Sequence, residues 1–271
     1  YRQGEHGLFL TDADFAVLRH CPNLERLGIE NNPYLTGSFL ESLQAQTQLW
    51  SLELVNCQRL SAANLDHARH FKQLELLNLH SDHGLEFTAA NLSFARSLEN
   101  LKYMYLDGCQ LTGNSVLEPL AELPQLTWLS LGASSVTDQQ LIPLGKAEML
   151  SGLHLGETEV GDAGLAHLAM MKNLKRLNLG GTRVSDQGLA SLAGHHELYS
   201  LQLNSTAITD RGLVHLEQLK ELQTLSLEDT GVTGAGLIHL AGLKQLSSLG
   251  LGGTQISDAG LVHLKGLEKL G

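Results

Sequence analysis

One pattern, L-x-x-L-x-L, returns along the whole chain and decides what the chain can fold into. It begins at ten positions and is cut off at an eleventh: Leu24, Leu49, Leu74, Leu101, Leu126, Leu150, Leu174, Leu198, Leu222, Leu246 and Leu270. The spacing between copies is 25, 25, 27 and 25 residues, and then 24 residues six times. A unit this short cannot bury a hydrophobic core alone, so neighbouring units must stack on one another.

Each unit is predicted to contain one strand and one short helix. The second and third Leu of the pattern alternate with other residues at a period of two, which is typical of a strand with one buried face. Later in the eighth unit, Leu213, Leu216 and Leu219 follow at i, i+3 and i+6, which favours a short amphipathic helix. The sequence therefore predicts an α/β solenoid shaped like a horseshoe, with a parallel sheet on the concave side and short helices on the convex side. We expect residues 1–271 to form one such domain, of about ten repeats with a partial repeat at each end.

A second motif follows the strand, seen as I-T-D-R-G-L at 208–213 and as I-S-D-A-G-L at 256–261. Together the two motifs resemble the leucine-rich repeat superfamily. The I-T-D-x-G-L segment is similar to that of the cysteine-containing class, which includes F-box ubiquitin-ligase receptors and bacterial effectors. This resemblance implies a non-enzymatic recognition module without a cofactor, the target-binding part of a larger effector or ubiquitin-ligase-type protein. Because both ends of the chain fall within repeats, we expect flanking sequence and fragile terminal repeats.

Composition narrows the kind of partner. The chain has 18 Lys and Arg against 29 Asp and Glu, a net charge of -11, whereas nucleic-acid binding depends on clustered basic residues. No apolar stretch approaches the roughly 18 residues of a membrane-spanning helix. Three Cys without zinc-site spacing suggest free thiols, as in the cytoplasm or in a bacterial effector acting in a host cytoplasm. We therefore expect a protein or peptide partner, no nucleic acid and no membrane insertion.

Two positions of the repeat have expected structural roles. Aspartates are expected at the helix N-caps, where they accept hydrogen bonds from backbone N–H groups. They are Asp138, Asp162, Asp186, Asp210 and Asp258. A calcium site along this row is the alternative, but the repeat period accounts for the row without an ion.

The residue three positions after the last strand Leu is small and mostly polar, and in the family this position bonds to buried loop backbone. The column reads Asn32, Cys57, Asp82, Cys109, Ser134, Thr158, Thr182, Thr206, Thr230 and Thr254. Cys57 and Cys109 are therefore expected to be structural. Cys21 aligns with Leu219 and is expected in the core.

Few residues suggest catalysis or metal binding. Four histidines occupy one position of the repeat, which is expected on the convex surface: His167, His215, His239 and His263. The third unit carries an insertion, since residues 79 to 87 span eight positions where residues 203 to 208 span five. Its His80, Asp82 and His83 are residue types that ligate zinc. A metal-dependent or enzymatic site in loop 80–87 is thus one alternative function.

The exposed strand positions give the clearest sign of binding. Of seven Trp and Tyr residues, five are expected on the concave face: Trp50, Tyr103, Tyr105, Trp128 and Tyr199. Tyr103 and Trp128 occupy the same position in adjacent units, and Tyr105 lies two residues along the strand, so their side chains should be neighbours. Trp and Tyr are enriched among residues that dominate interface energetics.

We therefore predict that the concave face binds a protein or peptide. The predicted site consists of Trp50, Asn78, His80, Tyr103, Tyr105, Asp107, Trp128 and His154. The exposed strand positions carry eight acidic and four basic residues, so the partner is expected to have basic groups. Stacked aromatic rings flanked by Asp and Asn also suit sugars, and carbohydrate binding is a further alternative.

Overall fold

The computed structural model describes residues 10–271. The chain separates into two compact units, Tyr1–Ser135 and Val136–Gly271, which are described in turn. That the whole chain forms one domain stays a prediction.

The first unit has seven strands, in two parallel sheets. They are β1 Arg26–Glu30, β2 Ser51–Val55, β3 Leu76–Asn78, β4 Glu86–Thr88, β5 Tyr103–Tyr105, β6 Gln110–Thr112 and β7 Trp128–Ser130. The main sheet has the order β1-β2-β3-β5-β7, with one strand from each repeat. The inserted residues of the third repeat lead into β4, which pairs with β6 in a separate two-stranded sheet.

Short helical segments precede β1 and lie between the later strands of the first unit. The α-helices are α1 Asp12–Phe15, α2 Ala62–Leu65, α3 Ala89–Leu92 and α4 Glu118–Ala121. The 3₁₀ helices are Ala16–His20, Ser38–Leu43, Asp66–His70 and Ser93–Ser97. No helix is long, because each needs only one or two turns to return the chain to the next strand.

The second unit repeats this plan with greater regularity. Its parallel sheet contains, in order, β8 Gly152–His154, β9 Arg176–Asn178, β10 Ser200–Gln202, β11 Thr224–Ser226 and β12 Ser248–Gly250. Its α-helices are α5 Asp162–His167, α6 Asp186–Leu189, α7 Asp210–Leu213 and α8 Asp258–Leu261. Its 3₁₀ helices are Asp138–Lys146, Leu168–Met170, Ala190–Leu192, Val214–Leu216, Gly236–Leu240 and Val262–Leu264. The predicted solenoid of parallel strands and short helices is confirmed in both units.

The leucines of the pattern form the core. In the eighth repeat Leu198, Leu201 and Leu203 are all fully buried, and burying one such side chain contributes about 1.5–3 kcal/mol. The tenth repeat is different, because Leu249 is partly exposed and Leu261 is 45% exposed. Less apolar burial gives the physical basis for expecting this repeat to be less stable.

The aspartate row lies one residue beyond the predicted N-caps. The N-cap of α7 is Thr209, and Asp210 is the first residue of the helix. In the preceding repeat, Asp186 Oδ1 accepts a hydrogen bond from the Thr209 backbone N–H at 2.7 Å, and Oδ2 accepts one from Thr209 Oγ1 at 2.6 Å. The same pair of bonds joins Asp162 to Ser185 and Asp210 to Thr233. The N-cap prediction is therefore wrong, and the carboxylates of Asp162, Asp186 and Asp210 each join one repeat to the next.

The same contact between repeats explains why the second motif contains a glycine, which is Gly212 in the eighth repeat. A Cβ atom on Gly212 would lie 2.5 Å from Asp186 Oδ1, closer than real Cβ atoms approach. A side chain at this position would push the two repeats apart. The I-T-D-x-G-L segment is thus explained by repeat stacking.

The small polar column bonds to loop backbone in most repeats. The hydroxyls of Thr158, Thr182 and Thr206 donate to carbonyls three residues earlier at 2.5–2.6 Å. Asp82 does not belong to this column, because its side chain is 63% exposed. The inserted loop instead buries Ser81, whose hydroxyl accepts from the Leu85 backbone N–H at 3.3 Å.

The three thiols have different environments. Cys109 Sγ donates to the Leu79 carbonyl at 3.4 Å, and Cys57 Sγ lies 3.9 Å from the Ile29 carbonyl. Burial raises the pKa of Cys57 to about 11 and the pKa of Cys109 to about 12. Both are therefore protonated and poorly nucleophilic at neutral pH. Cys21 is exposed, so its expected core position is wrong.

Candidate functional site

The central aromatic residues of the predicted site lie on two adjacent strands of the first unit. In the pairing of β5 with β7, Tyr103 is opposite Trp128 and Tyr105 is opposite Ser130. Tyr103 is 39% exposed, and Tyr105 and Trp128 are half-buried. Paired residues on one sheet face lie about 5 Å apart. We call Tyr103, Tyr105 and Trp128 the aromatic group.

Asn78 and His80 lie on the neighbouring strand and the loop after it. Asn78 is the partner of Tyr105 in the pairing of β3 with β5. Its Oδ1 atom accepts a hydrogen bond from the His80 backbone N–H at 3.1 Å. The imidazole Nε2 of His80 lies 3.1 Å from Asp82 Oδ1, and Asn56 Nδ2 donates to Asp82 Oδ2 at 2.7 Å. These polar groups therefore border the aromatic group at the end of β3.

Asp107 stabilises the turn of the following repeat. Its Oδ1 atom accepts hydrogen bonds from Ser130 Oγ at 2.5 Å and from the Gly132 backbone N–H at 3.0 Å. Sequence reasoning assigned Asp107 to the binding site alone. The structure shows that its carboxylate also connects two repeats.

Trp50 stands apart from the aromatic group. It precedes β2, two strands from β5, which places it about 10 Å away at the usual strand spacing. The Arg26 guanidinium lies 5.0 Å from the centre of the Trp50 ring, and Arg26 also approaches Glu53 at 3.9 Å. Trp50 therefore already has a cationic neighbour from its own fold.

His154 belongs to the second unit. It is the last residue of β8 and is paired with Asn178 of β9. Tyr199, which precedes β10, also lies in this unit and is half-buried. The first unit therefore contains seven of the eight predicted site residues.

The inserted loop does not bring its two histidines to one ion. His80 contacts Asp82, whereas His83 Nε2 lies 3.1 Å from Gln58 Nε2. Among residues 10–271 no group of three or more His, Cys, Asp or Glu side chains is arranged to hold a metal. The arrangement of the loop therefore gives no support to the metal-site alternative.

Two features of the second unit were not anticipated from the sequence. A polar depression of about 410 Å³ lies on its strand face. It is lined by Gln202, Asn204, Thr224, Leu225, Ser226, Glu228, Asp229, Ser248, Leu249 and Gly250. The sequence does contain a sign of this depression. One repeat position holds Asn204, Glu228 and Gly252 in three successive repeats, so two polar side chains are followed by a residue without a side chain.

The second unexpected feature is a buried histidine. His195 occupies the position of the core residue Leu219 and is fully buried. Its Nδ1 lies 3.3 Å from the Leu192 carbonyl, and its Nε2 lies 3.2 Å from the Leu168 carbonyl. Burial lowers the pKa of His195, with hydrogen bonding to Leu168 acting in the opposite direction.

The four histidines that share one repeat position lie on short helical segments. His239 Nδ1 is 2.6 Å from Glu217 Oε1, an acceptor supplied by the preceding repeat. His167, His215 and His263 are half-buried on their helical segments. Their regular position is consistent with a repeat consensus.

Comparison with known proteins gives the same fold. A model of the Leucine Rich repeat family matches residues 171–193. An internalin (inlF) from Listeria monocytogenes shares 18% identity at a TM-score of 0.62, over 96% of this chain and 87% of that chain. Internalin C2 (inlC2) from Listeria monocytogenes shares 26% identity at a TM-score of 0.61, over 77% of this chain and 81% of that chain. A TDR receptor shares 14% identity at a TM-score of 0.59, over 92% of this chain and 47% of that chain. No curated protein matches significantly.

These findings define the class of protein, a repeat protein built from parallel strands and short return helices. Residues 171–193 match a leucine-rich repeat, and the fold of the chain is that of leucine-rich repeat proteins. None of the helices within residues 10–271 is long and apolar enough to cross a membrane.

Proposed function

We propose that this chain is a non-enzymatic recognition module, which binds a protein or peptide through the aromatic group on the strand face of its first unit. The observation that carries the proposal is the pairing of Tyr103 with Trp128 on adjacent strands. The fold does not require a ring there, since the same position holds Arg26, Ser51 and Leu76 in the other repeats of this unit. Exposed aromatic residues are enriched among interface hot spots.

The charge around the aromatic group supports a partner with basic groups. Asp107 lies two residues beyond the end of β5, whereas Glu53 and Glu75, on or beside the two preceding strands, are paired with Arg26 and Lys102. The chain as a whole has a net charge of -11. Long-range attraction of a basic partner would raise its association rate, and added salt would lower that rate.

The resemblance of the second motif to F-box receptors and bacterial effectors supports a target-binding role inside a larger protein. In that arrangement the leucine-rich repeats select the target and another segment acts on it. The buried, protonated thiols of Cys57 and Cys109 are consistent with a module that performs no chemistry of its own.

The test compares the proteins that two baits capture. The first bait is the native chain, and the second carries Tyr103→Ala, Tyr105→Ala and Trp128→Ala together. A protein held only by the first bait is then titrated against each single variant by calorimetry. We expect at least one variant to lose about 2 kcal/mol of binding, roughly thirtyfold in Kd, with the thermal midpoint almost unchanged.

A matched control is the pair Ser226→Ala and Ser248→Ala, which truncates strand positions of the second unit and should leave affinity unchanged. Equal affinity of the native chain and all three aromatic variants would place the interface elsewhere. A glycan array and metal analysis of the purified chain would then decide between the sugar and metal alternatives.

A further inference from the structure

Arginine side chains of the first unit cover two of its aromatic rings. The Arg26 guanidinium lies 5.0 Å from the centre of the Trp50 ring, and the Arg59 guanidinium lies 5.7 Å from the centre of the Tyr34 ring. In both pairs the arginine and the aromatic residue come from adjacent repeats. A cation over an aromatic face is attracted to the negative charge of that face, by about 0.5–1 kcal/mol at exposed sites.

Tyr103 has no such arginine within the described residues, although its ring is the most open on the strand face. It is 39% exposed, whereas Trp50, Tyr105 and Trp128 are half-buried. Its partners across the strands are Leu76 and Trp128, neither of which is cationic. The preceding residue, Lys102, forms an ion pair with Glu75 at 2.9 Å.

The surroundings of Tyr103 favour a guanidinium over an ammonium group. Glu75 and Glu53 are already paired with Lys102 and Arg26, so the negative charge that attracts a cation here comes from Asp107, beyond the end of β5, and from the net charge of -11 on the whole chain. A guanidinium is planar, stacks on aromatic faces and is more weakly hydrated than an ammonium group. It therefore loses less solvation energy when it covers a half-open ring.

We propose that Tyr103 docks an arginine side chain of the protein partner, whose guanidinium stacks on the tyrosine ring beside Trp128. This inference rests on the proposed function and specifies the partner residue that the aromatic group accepts. Arg26 on Trp50 is the intramolecular counterpart of the contact.

The experiment uses two probes of equal charge, hexa-arginine and hexa-lysine peptides. Each is titrated into the ¹⁵N-labelled chain, and the amide shifts of Tyr103, Leu76 and Trp128 are followed. We expect hexa-arginine to perturb these amides at about two- to fivefold lower concentration than hexa-lysine, the upper value being the ratio that one full exposed cation–π contact provides. Because both peptides share the general attraction to an acidic chain, the difference isolates stacking.

Two substitutions separate the ring from other properties of Tyr103. Tyr103→Phe keeps the ring and should keep the preference for arginine, whereas Tyr103→Leu keeps apolar bulk and should abolish it. Tyr199→Leu, at a half-buried aromatic residue of the second unit, is the matched control and should not alter the shifts near Tyr103. The amide spectrum of each variant checks that it is folded.

Equal responses to both peptides, or an undiminished preference in Tyr103→Leu, would overturn the inference. This result is distinct from failure of the proposed function. If a captured partner loses affinity for the alanine variants but the peptides show no arginine preference, only the arginine contact is wrong. If the preference is present but no partner depends on the aromatic group, the proposed function is wrong.

Discussion

The bonds between consecutive repeats predict the cost of losing one carboxylate. In Asp186→Ala, the Thr209 backbone N–H and hydroxyl lose acceptors at 2.7 and 2.6 Å. A hydrogen bond to a charged group contributes about 1.5–3 kcal/mol. Asp186 is half-buried, so water can replace part of this interaction. We therefore expect the variant to lose about 2 kcal/mol in its free energy of unfolding, and Asp186→Asn, which keeps one acceptor oxygen, about half as much.

Urea unfolding followed by circular dichroism measures this loss. The control is Asp258→Ala, because Asp258 also begins a helix but is exposed and accepts no hydrogen bond from a later repeat within the described residues. That variant should cost less than about 0.5 kcal/mol, as for ordinary surface substitutions. Equal losses for Asp186→Ala and Asp258→Ala would refute the idea that the carboxylate row joins the repeats.

Three further predictions concern single positions. Burial lowers the folded-state pKa of His195 below 6.5. As the pH falls, the unfolded chain therefore takes up a proton first, and the stability of the folded chain declines below about pH 6.5. Between about pH 7 and pH 5, the urea midpoint of His195→Leu should fall less than that of the native chain. Ala133 has a φ of +51°, so Ala133→Gly should raise stability by about 0.5–1 kcal/mol, whereas Gly181→Ala, at a φ of +68°, should lower it; a lower thermal midpoint for Ala133→Gly or a higher one for Gly181→Ala would contradict this. Leu129→Ala should cost about 2–5 kcal/mol and Tyr103→Ala about 1 kcal/mol or less, so similar losses in urea unfolding would show that Tyr103 is part of the core.

The strand positions were predictable because burial repeats at a period of two. In both units, each strand of the main sheet begins two residues after the first Leu of its repeat, for example Arg26 after Leu24 and Ser200 after Leu198. That register also brings Tyr103 opposite Trp128. Residues that share a repeat position become neighbours whenever units stack in parallel, so no further information was needed.

Some residues were assigned to the wrong position because their positions depend on contacts with neighbouring repeats, which the sequence of one repeat does not reveal. Thr209 and Asp210 are both good N-cap residues, and the choice between them follows from the Thr233 groups that Asp210 meets in the next repeat. Burial of His195 depends on carbonyls of two successive helical segments, including that of Leu168. Asp82 is exposed because the inserted loop takes a different path and buries its neighbour instead.

The partners of the candidate site were also beyond sequence reasoning, since they depend on side-chain rotamers across strands. The pattern places Arg26 and Trp50 on one face, but it does not say that the guanidinium turns onto the ring. It places Asp107 near the aromatic group without revealing that Ser130 and Gly132 share its carboxylate. Candidate binding residues could therefore be chosen by repeat position, whereas the structural role of Asp107 could be recognised only from its contacts.

The side chains that join the repeats are separate from those that face outward on the strands. Stacking uses buried leucines, the carboxylate row and the close approach at positions such as Gly212. The strand position held by Tyr103 in β5 is filled by Gly152 in β8 and by Ser248 in β12, each of which still forms a parallel strand. Since residues from glycine to tryptophan are compatible with the same backbone, stability does not select a ring at this position. An adjacent tyrosine and tryptophan there are better explained by what the face contacts than by what holds the repeats together.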